Sequence, residues 1–449
     1  MRCYIFCTLL AAFATTPAIA GAAASTALSG GPVSGSQAAP VPSSSKLAKT
    51  VLVVSNLSEL KSAMQIALST TGGAEIRLNS GSYGALVWTN KNHARGRVYL
   101  VPNSSSRPIF SAMNLTNSKN IAVSGMHIMG TDRVLVYLNS TENVVFSGNL
   151  LTGAKRNQNA WDDGSAGAHV RFAKSVTVNE NVFEDLRAGI YFQRSSKISF
   201  AYNTLQYIRE GVNVAATKDL DIRGNLFRYF QPNVPNGEHP DSIQFWTSNE
   251  TEGSTDVRIV ENAMLHGGCA AIQGIFIRSE RPEVKHGDIT VQRNVYFGAS
   301  KNAIAVADVD TALVENNVAI ASPYSETSIS RAAAQAVDSR CSGALRPAIL
   351  SRGVDTTGHV IRRNIAAQIG LQNNATRQDN IEVGTNVGAA YISVFDAQPT
   401  GSAPALASFR TRSPSDARSR NIGLLSTFNF GSSATGRLAL DRGLSMHKE

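Results

Sequence analysis

The chain is short of the residues that would place it in several common classes. Cysteine occurs four times in 449 residues, two of them as Cys3 and Cys7 at the very N-terminus. Neither of those stands in a lipobox-like context, which argues against a lipid-anchored start. The other two, Cys269 and Cys341, either pair in an oxidising compartment or stay separate thiols; a sequence gives no distance between them. Charged residues make up 17% of the chain. The basic ones are scattered, with no basic-aromatic cluster, so a nucleic-acid surface is disfavoured. Strong helix formers do not dominate. After Ala20 no apolar run approaches the roughly 20 residues a membrane-spanning helix needs.

What the chain does have is Gly, Asn, Ser, Val and Ile, the composition of short strands joined by tight turns. It is 43% hydrophobic, enough for a large core, and carries a formal charge of +9. A basic surface suits an anionic polymer, although Arg410, Arg412, Arg418 and Arg420 concentrate part of that charge near the C-terminus. Met1–Ala20, with Arg2, an apolar run from Tyr4 to Ala14 and Ala18-Ile-Ala20, reads as a secretory signal peptide cut after Ala20. Residues 21–49 read as a flexible linker of Ala, Gly, Ser and Pro. An amphipathic helix is expected over Ser55–Leu68, with Leu57, Leu60, Met64 and Leu68 on one face. Residues 50–398 are assigned to one domain, and 399–449 to a basic low-complexity tail.

The domain follows a fixed period. Asn181, Asn203 and Asn225 fall 22 residues apart, each closing an alternating run and opening an apolar one. Asn120 and Asn143 lie in phase earlier; Asn262, Asn294 and Asn317 continue the series, with Asn364 and Asn380 as candidate returns. A repeat near twenty residues with several short strands per period predicts a parallel β-helix, a solenoid whose aligned asparagines stack as an amide ladder. The early helix would cap its open end. Residues 324–358 read as a long excursion, with a short helix at Ser330–Val337.

Helix, Ile76-to-Tyr83 strand-Gly-x-Tyr step and coils together resemble secreted right-handed parallel β-helix enzymes of the pectate lyase superfamily, nearest in flavour to alginate lyases and chondroitinase B. The resemblance covers roughly residues 50–320 and is specific for fold more than for reaction. It implies an all-β fold and a sugar chain held on one strand ladder and the turn before it. Alternation assigns that ladder. Val170/Phe172, Ile190/Phe192, Val212/Val214, Ile243/Phe245, Ile275/Ile277 and Ile304/Val306 are expected inward. Arg171, Tyr191, Asn213, Gln244 and Phe276 form one outward column; Gln193, Trp246 and Arg278 form a second. Arg187, Arg209, Glu210, His239 and Asp241 sit in the preceding turn.

β-Elimination from a uronate needs a neutralised carboxylate, a base for the C5 proton and an acid for the leaving oxygen. Arg187, Arg209 or Arg278 supply the first, His239 of His239-Pro-Asp241 the base, Tyr191 the acid, and Asp241 orients His239. Arg187, Glu210, Asn213, Gln244, Trp246 and Arg171 are the substrate-binding candidates. The alginate lyase pattern is only partly matched: Asn236-Gly237 and Asp241 stand in its Asn-Gly-x-Glu-x-Ile-Arg step, but Gln244 replaces the arginine. Arg278 matches a second family arginine, and no lysine stands near Thr247-Ser248. The bland readings are an Asp241 turn cap, a solvated His239 and surface arginines. Glu184, Asp185, Glu210 and Asp241 are candidate calcium ligands, though they form no known loop motif. The expected function is a secreted lyase acting on an anionic polysaccharide. Its rivals are a glycoside hydrolase using Glu210 and Asp241 and a non-catalytic polysaccharide-binding solenoid.

Overall fold

A computed structural model describes residues 50–233, 238, 240–266, 271–322, 346–372, 374–384, 389–397, 406–413 and 415–432. The expected signal peptide and linker, the helix at Ser330–Val337, His239, Cys269 and Cys341 lie outside the described residues.

Each period closes one coil of a right-handed parallel β-helix, because three short strands separated by turns bring residue i back above residue i−22 or so. A first ladder of thirteen parallel strands runs from Thr50–Val54 through Lys119–Ser124, Lys174–Asn179 and Ser196–Ala201 to Thr376–Gln378. Coiling begins at the first described strand, since Thr50–Val54 already pairs with Ala74–Leu78. A second ladder includes Leu150–Gly153, Leu226–Arg228, Ala263–Leu265, Val295–Gly298 and Val318–Ala321. The third includes Val134–Asn139, Ala166–Arg171, Asp241–Phe245, Gln273–Arg278, Asn302–Ala307 and Ala348–Arg352. The long strands Val182–Gln193 and Thr204–Ala215 bend between these two ladders and contribute to both. The coil resumes at Ala348, inside the stretch expected as an excursion, because Ala348–Arg352 pairs with Asn302–Ala307.

Inward Ile, Val, Leu and Phe from all three ladders make one continuous core, with Phe146, Phe183, Phe192 and Phe200 fully buried. The N-terminal helix, Leu57–Ser69, closes its end: Leu60, Ala63, Met64 and Ala67 join the cluster that holds Val54, Ile76 and Leu86. Its start is fixed by Asn56, whose Oδ1 accepts from the Glu59 backbone N–H at 3.0 Å, while Glu59 Oε2 accepts from the Ser55 N–H at 2.8 Å. That reciprocal pair satisfies donors the first turn leaves open.

The amide ladder joins Asn149, Asn181, Asn203, Asn225, Asn262, Asn294, Asn317, Asn364 and Asn380. From Asn181 onward each Oδ1 accepts from both the backbone N–H and the Nδ2 of the preceding asparagine, while Asn149 Oδ1 accepts from the Met126 N–H; for Asn203 and Asn225 the two distances are 2.8 and 3.0 Å. Nδ2 also donates to a carbonyl of the coil before, as Asn225 does to Phe200 at 2.9 Å. The residue before each rung is left-handed, among them Gly148, Glu180, Tyr202, Gly224 and Glu261. The loops inserted between Asn225 and Asn294 leave the ladder unbroken.

Beyond the last coils, the described part of the segment expected as a tail folds back. Leu406, Phe409, Ala417, Ile422 and Leu424, with Tyr391 and Phe395, pack onto the outward faces of Leu226, Leu265, Val295, Phe297, Val318 and Ile320. The second ladder is apolar on both sides for that reason: Tyr296 faces the solenoid core while Val295 and Phe297 face the cover. Gly431 donates to the Gly224 carbonyl at 2.7 Å and the Ser432 N–H to Thr204 Oγ1 at 2.9 Å.

Candidate active site

The third ladder presents its outward side chains in register. Ala166-Gly-Ala-His169, Ala188-Gly-Ile-Tyr191 and Glu210-Gly-Val-Asn213 occupy successive coils, pairing Ala166 with Ala188, Ala188 with Glu210, His169 with Tyr191 and Tyr191 with Asn213. Glycine is required where the strands bend, because a Cβ on Gly211 would lie 2.2 Å from the Ser242 carbonyl oxygen. His169 therefore holds the place that alternation assigned to Arg171, and Arg171 pairs with Gln193 in the second column. Phe172 is not an inward residue either. It ends the strand in the left-handed region at φ 51 and stands 47% exposed.

A cleft of about 460 Å³ follows these columns, lined by His169, Arg187, Tyr191, Glu210, Asn213, Gln244, Trp246, Ser248 and Glu280 among others. Six expected residues are thus gathered in one groove: Tyr191, Arg187, Glu210, Asn213, Gln244 and Trp246. Rings run along it. His169 meets Tyr137 and Tyr191 edge-on at 5.4 and 5.5 Å, and Tyr191 stacks on Trp246 at 5.8 Å with 10° between planes. Thr247 anchors the backbone beside Trp246: Glu280 Oε2 accepts from the Thr247 N–H at 2.6 Å, and Thr247 Oγ1 accepts from the Glu280 N–H at 2.9 Å. Further along the same loop, buried Glu250 accepts from Gln193 Nε2 at 2.5 Å and Arg194 Nε at 2.7 Å, clamping it onto the Tyr191 strand.

Burial sets the charge states. Desolvation, then the Arg171, Arg187 and Arg133 charges, lowers the His169 imidazole to about 4, so it is neutral at neutral pH. Desolvation, then the Glu250 charge, raises the Tyr191 phenol, whose shielded hydroxyl has no hydrogen-bond partner among the described residues. Arg187 donates from Nε to the Gly164 carbonyl at 3.4 Å and has no acidic partner among the described residues.

Three further expected residues stand elsewhere. Asp241 is fully buried, next to Glu210 in the register, and burial followed by the Glu210 charge raises its carboxyl well above the ordinary range. It does not line the cleft. Arg209 is committed to Glu238 at 2.7 Å, and Arg278 is exposed beside Ala307; neither lines the cleft. The proposed calcium ligands do not converge: Glu184 pairs with Gln206 on the second ladder, away from the Glu210 position on the third. No three His, Cys, Asp or Glu side chains among the described residues are grouped to hold a metal ion. Sequence reasoning missed His169, Ser248, Glu250 and Glu280. His169 was within reach, since Gly167, Gly189 and Gly211 align the three motifs. Glu280 and Glu250 come from loops, which carry no such ruler.

Residues 61–268 match the family described as "Periplasmic copper-binding protein (NosD)". The likeness covers less than half of the chain. No curated protein matches it significantly. Among solved structures, the chain is similar to the surface adhesin PfbA of Streptococcus pneumoniae, at 13% identity over 72% of this chain and 85% of that one, with a TM-score of 0.43. It is also similar to the catalytic unit of the GH87 alpha-1,3-glucanase of Streptomyces thermodiastaticus strain HF3-3, at 13% identity over 73% and 65% of the two chains, TM-score 0.35. Pectate lyase Pel9A matches at 13% identity over 82% and 90%, TM-score 0.34. These are likenesses of fold. The copper in the family's description finds no donor set among the described residues. The described histidines serve singly, His266 with Ser242 at 2.6 Å, His359 with Ser351 at 2.7 Å and His127 with Thr152 at 3.0 Å, whereas copper sites gather imidazole and sulfur donors. No helix among the described residues is long and apolar enough to cross a membrane.

Proposed function

We propose that the chain is a secreted enzyme that cleaves an anionic, uronate-containing polysaccharide by β-elimination in the cleft of the third ladder. One observation carries this reading: Arg187, a neutral His169 and a protonated Tyr191 line the same groove. Arg187 neutralises the uronate carboxylate and so acidifies C5–H. His169, the base that replaces His239 in this scheme, takes the C5 proton. The electron pair forms the C4–C5 double bond and expels the C4 oxygen, which receives its proton from Tyr191. The imidazolium beside it, 5.5 Å away ring to ring, returns the proton afterwards. Asn213, Gln244 and Trp246 hold neighbouring sugars.

Glu210 and Glu280, both in the cleft lining, favour a second reading as a hydrolase. Glu280 then takes the part first given to buried Asp241. Incubation with a panel of acidic polysaccharides separates the two. Absorbance growing near ~235 nm, from a conjugated uronate formed by the elimination above, supports the lyase. New reducing ends without that absorbance transfer the assignment to the carboxylates. Binding with neither leaves a non-catalytic solenoid.

A further inference from the structure

Phe172 is costly where it stands. It occupies the left-handed turn position after a third-ladder strand, φ 51, a region unfavourable to bulky side chains that Tyr202, Tyr207 and Tyr229 also take at other turns. Asn117, Ser140 and Arg194 hold the equivalent position on other coils, each donating its N–H to the next coil as Phe172 does to the Gln193 carbonyl at 3.0 Å. At 47% exposure Phe172 is also the one exposed aromatic ring among the described residues. Backbone cost and exposure act against it together, and none of the apolar clusters of the described residues includes it. Its ring contacts are cationic: the guanidinium carbons of Arg171 and Arg194 each lie 5.7 Å from the ring centre. Arg194 is fixed there by Glu250 at 2.7 Å. Arg171 has no acidic partner among the described residues, in a solenoid where Arg194, Arg209, Arg223, Arg293 and Arg362 all have one. Phe172 stands just past the end of the strand that carries His169, three residues beyond it, and none of the three side chains belongs to the cleft lining.

We propose that Phe172, Arg171 and Arg194 form an outlying subsite for an acidic pyranose, one carrying a carboxylate or a sulfate ester. The C–H face of the sugar packs on the Phe172 ring, and its anionic group is met by Arg171, with Arg194 held by Glu250 as the fixed wall. The subsite rests on the anionic-polymer reading above and extends the groove by at least one sugar beyond the reacting bond.

The test is affinity electrophoresis of wild type, Phe172→Asn and Arg171→Gln in gels containing polygalacturonate, chondroitin sulfate or neutral dextran, with thermal unfolding of each protein. Asparagine suits the left-handed turn, so Phe172→Asn is expected to melt no lower than wild type while binding the acidic polymers about tenfold more weakly. Arg171→Gln is expected to lose affinity similarly, and dextran to retard none of them. Retardation by polygalacturonate, which carries carboxylates and no sulfate, shows that a carboxylate suffices for recognition. Wild-type affinity in Phe172→Asn overturns the subsite and leaves the cleft reading standing. Equal retardation by dextran overturns the anionic part. A wild type retarded by neither acidic polymer overturns both.

Discussion

At the scale of single residues, environment decides which side chains have usable chemistry. His169 and Tyr191 are ring neighbours with opposite dispositions: burial discharges the imidazole and keeps the phenol protonated. His169→Ala and Tyr191→Phe should each lower kcat by about a hundredfold or more, the usual weight of a positioned acid or base, with unchanged melting. The acid limb of the wild-type rate profile should lie near pH 4, where His169 takes up a proton, and not near the ordinary value of 6.5. A limb at 6.5 in an active enzyme would assign the base elsewhere. Alternation along the strand foresaw Tyr191, Asn213 and Gln244 in one column. It kept Arg171 outward but placed it two residues out of register, in the first column instead of the second. It failed at Phe172, where a left-handed residue beyond the strand end breaks the two-residue rhythm. Asp241 was legible as an acid beside the cleft but not as a buried one; depth is a property of the packed coil.

At the scale of elements, the ladder and the cover are the two devices that hold the solenoid. Asn225→Ala removes the oxygen that accepts from the Asn203 N–H and Nδ2 and the amide that reaches Phe200. Buried donors left unpaired cost about 1–3 kcal/mol, so the loss should show as a lowered denaturant midpoint with an unchanged slope. Phe409→Ala opens a fully buried place between the cover and Phe297, 5.4 Å away ring to ring. About 3–5 kcal/mol is expected from such a truncation, measured by the same unfolding curve. If instead the midpoint stays put, the cover is dispensable to the coil. The ladder could be read from spacing, because stacked turns demand one residue type at one interval. The cover could not: Val295-Tyr-Phe and Val318-Ala-Ile announce strands buried on both faces, but nothing in them says which segment lies outside.

At the scale of the molecule, the six described histidines, His93, His127, His169, His266, His286 and His359, are all shifted below 6.5 by burial. A base whose folded pKa is depressed binds fewer protons folded than unfolded, so stability falls as pH drops through the window from 6.5 to about 4. Asp163, Asp185 and Asp241, raised by burial, act in the opposite sense but are fewer. Melting temperature should therefore decline from pH 7 to pH 5. A flat profile would mean the histidines are more hydrated than their packing implies.

The sequence alone determined the period, and with it the solenoid, its capped end, its asparagine column and the ladder on which a groove forms. These come from local rules, since turn residues and alternating apolar positions act at fixed short intervals along the chain. Only the tertiary structure decided that Glu280 reaches the groove from a loop, that Asp241 is sealed away from it beside Glu210 and that a late segment covers the second ladder. Those contacts join residues separated by variable insertions, where no interval in the sequence fixes which side chain arrives.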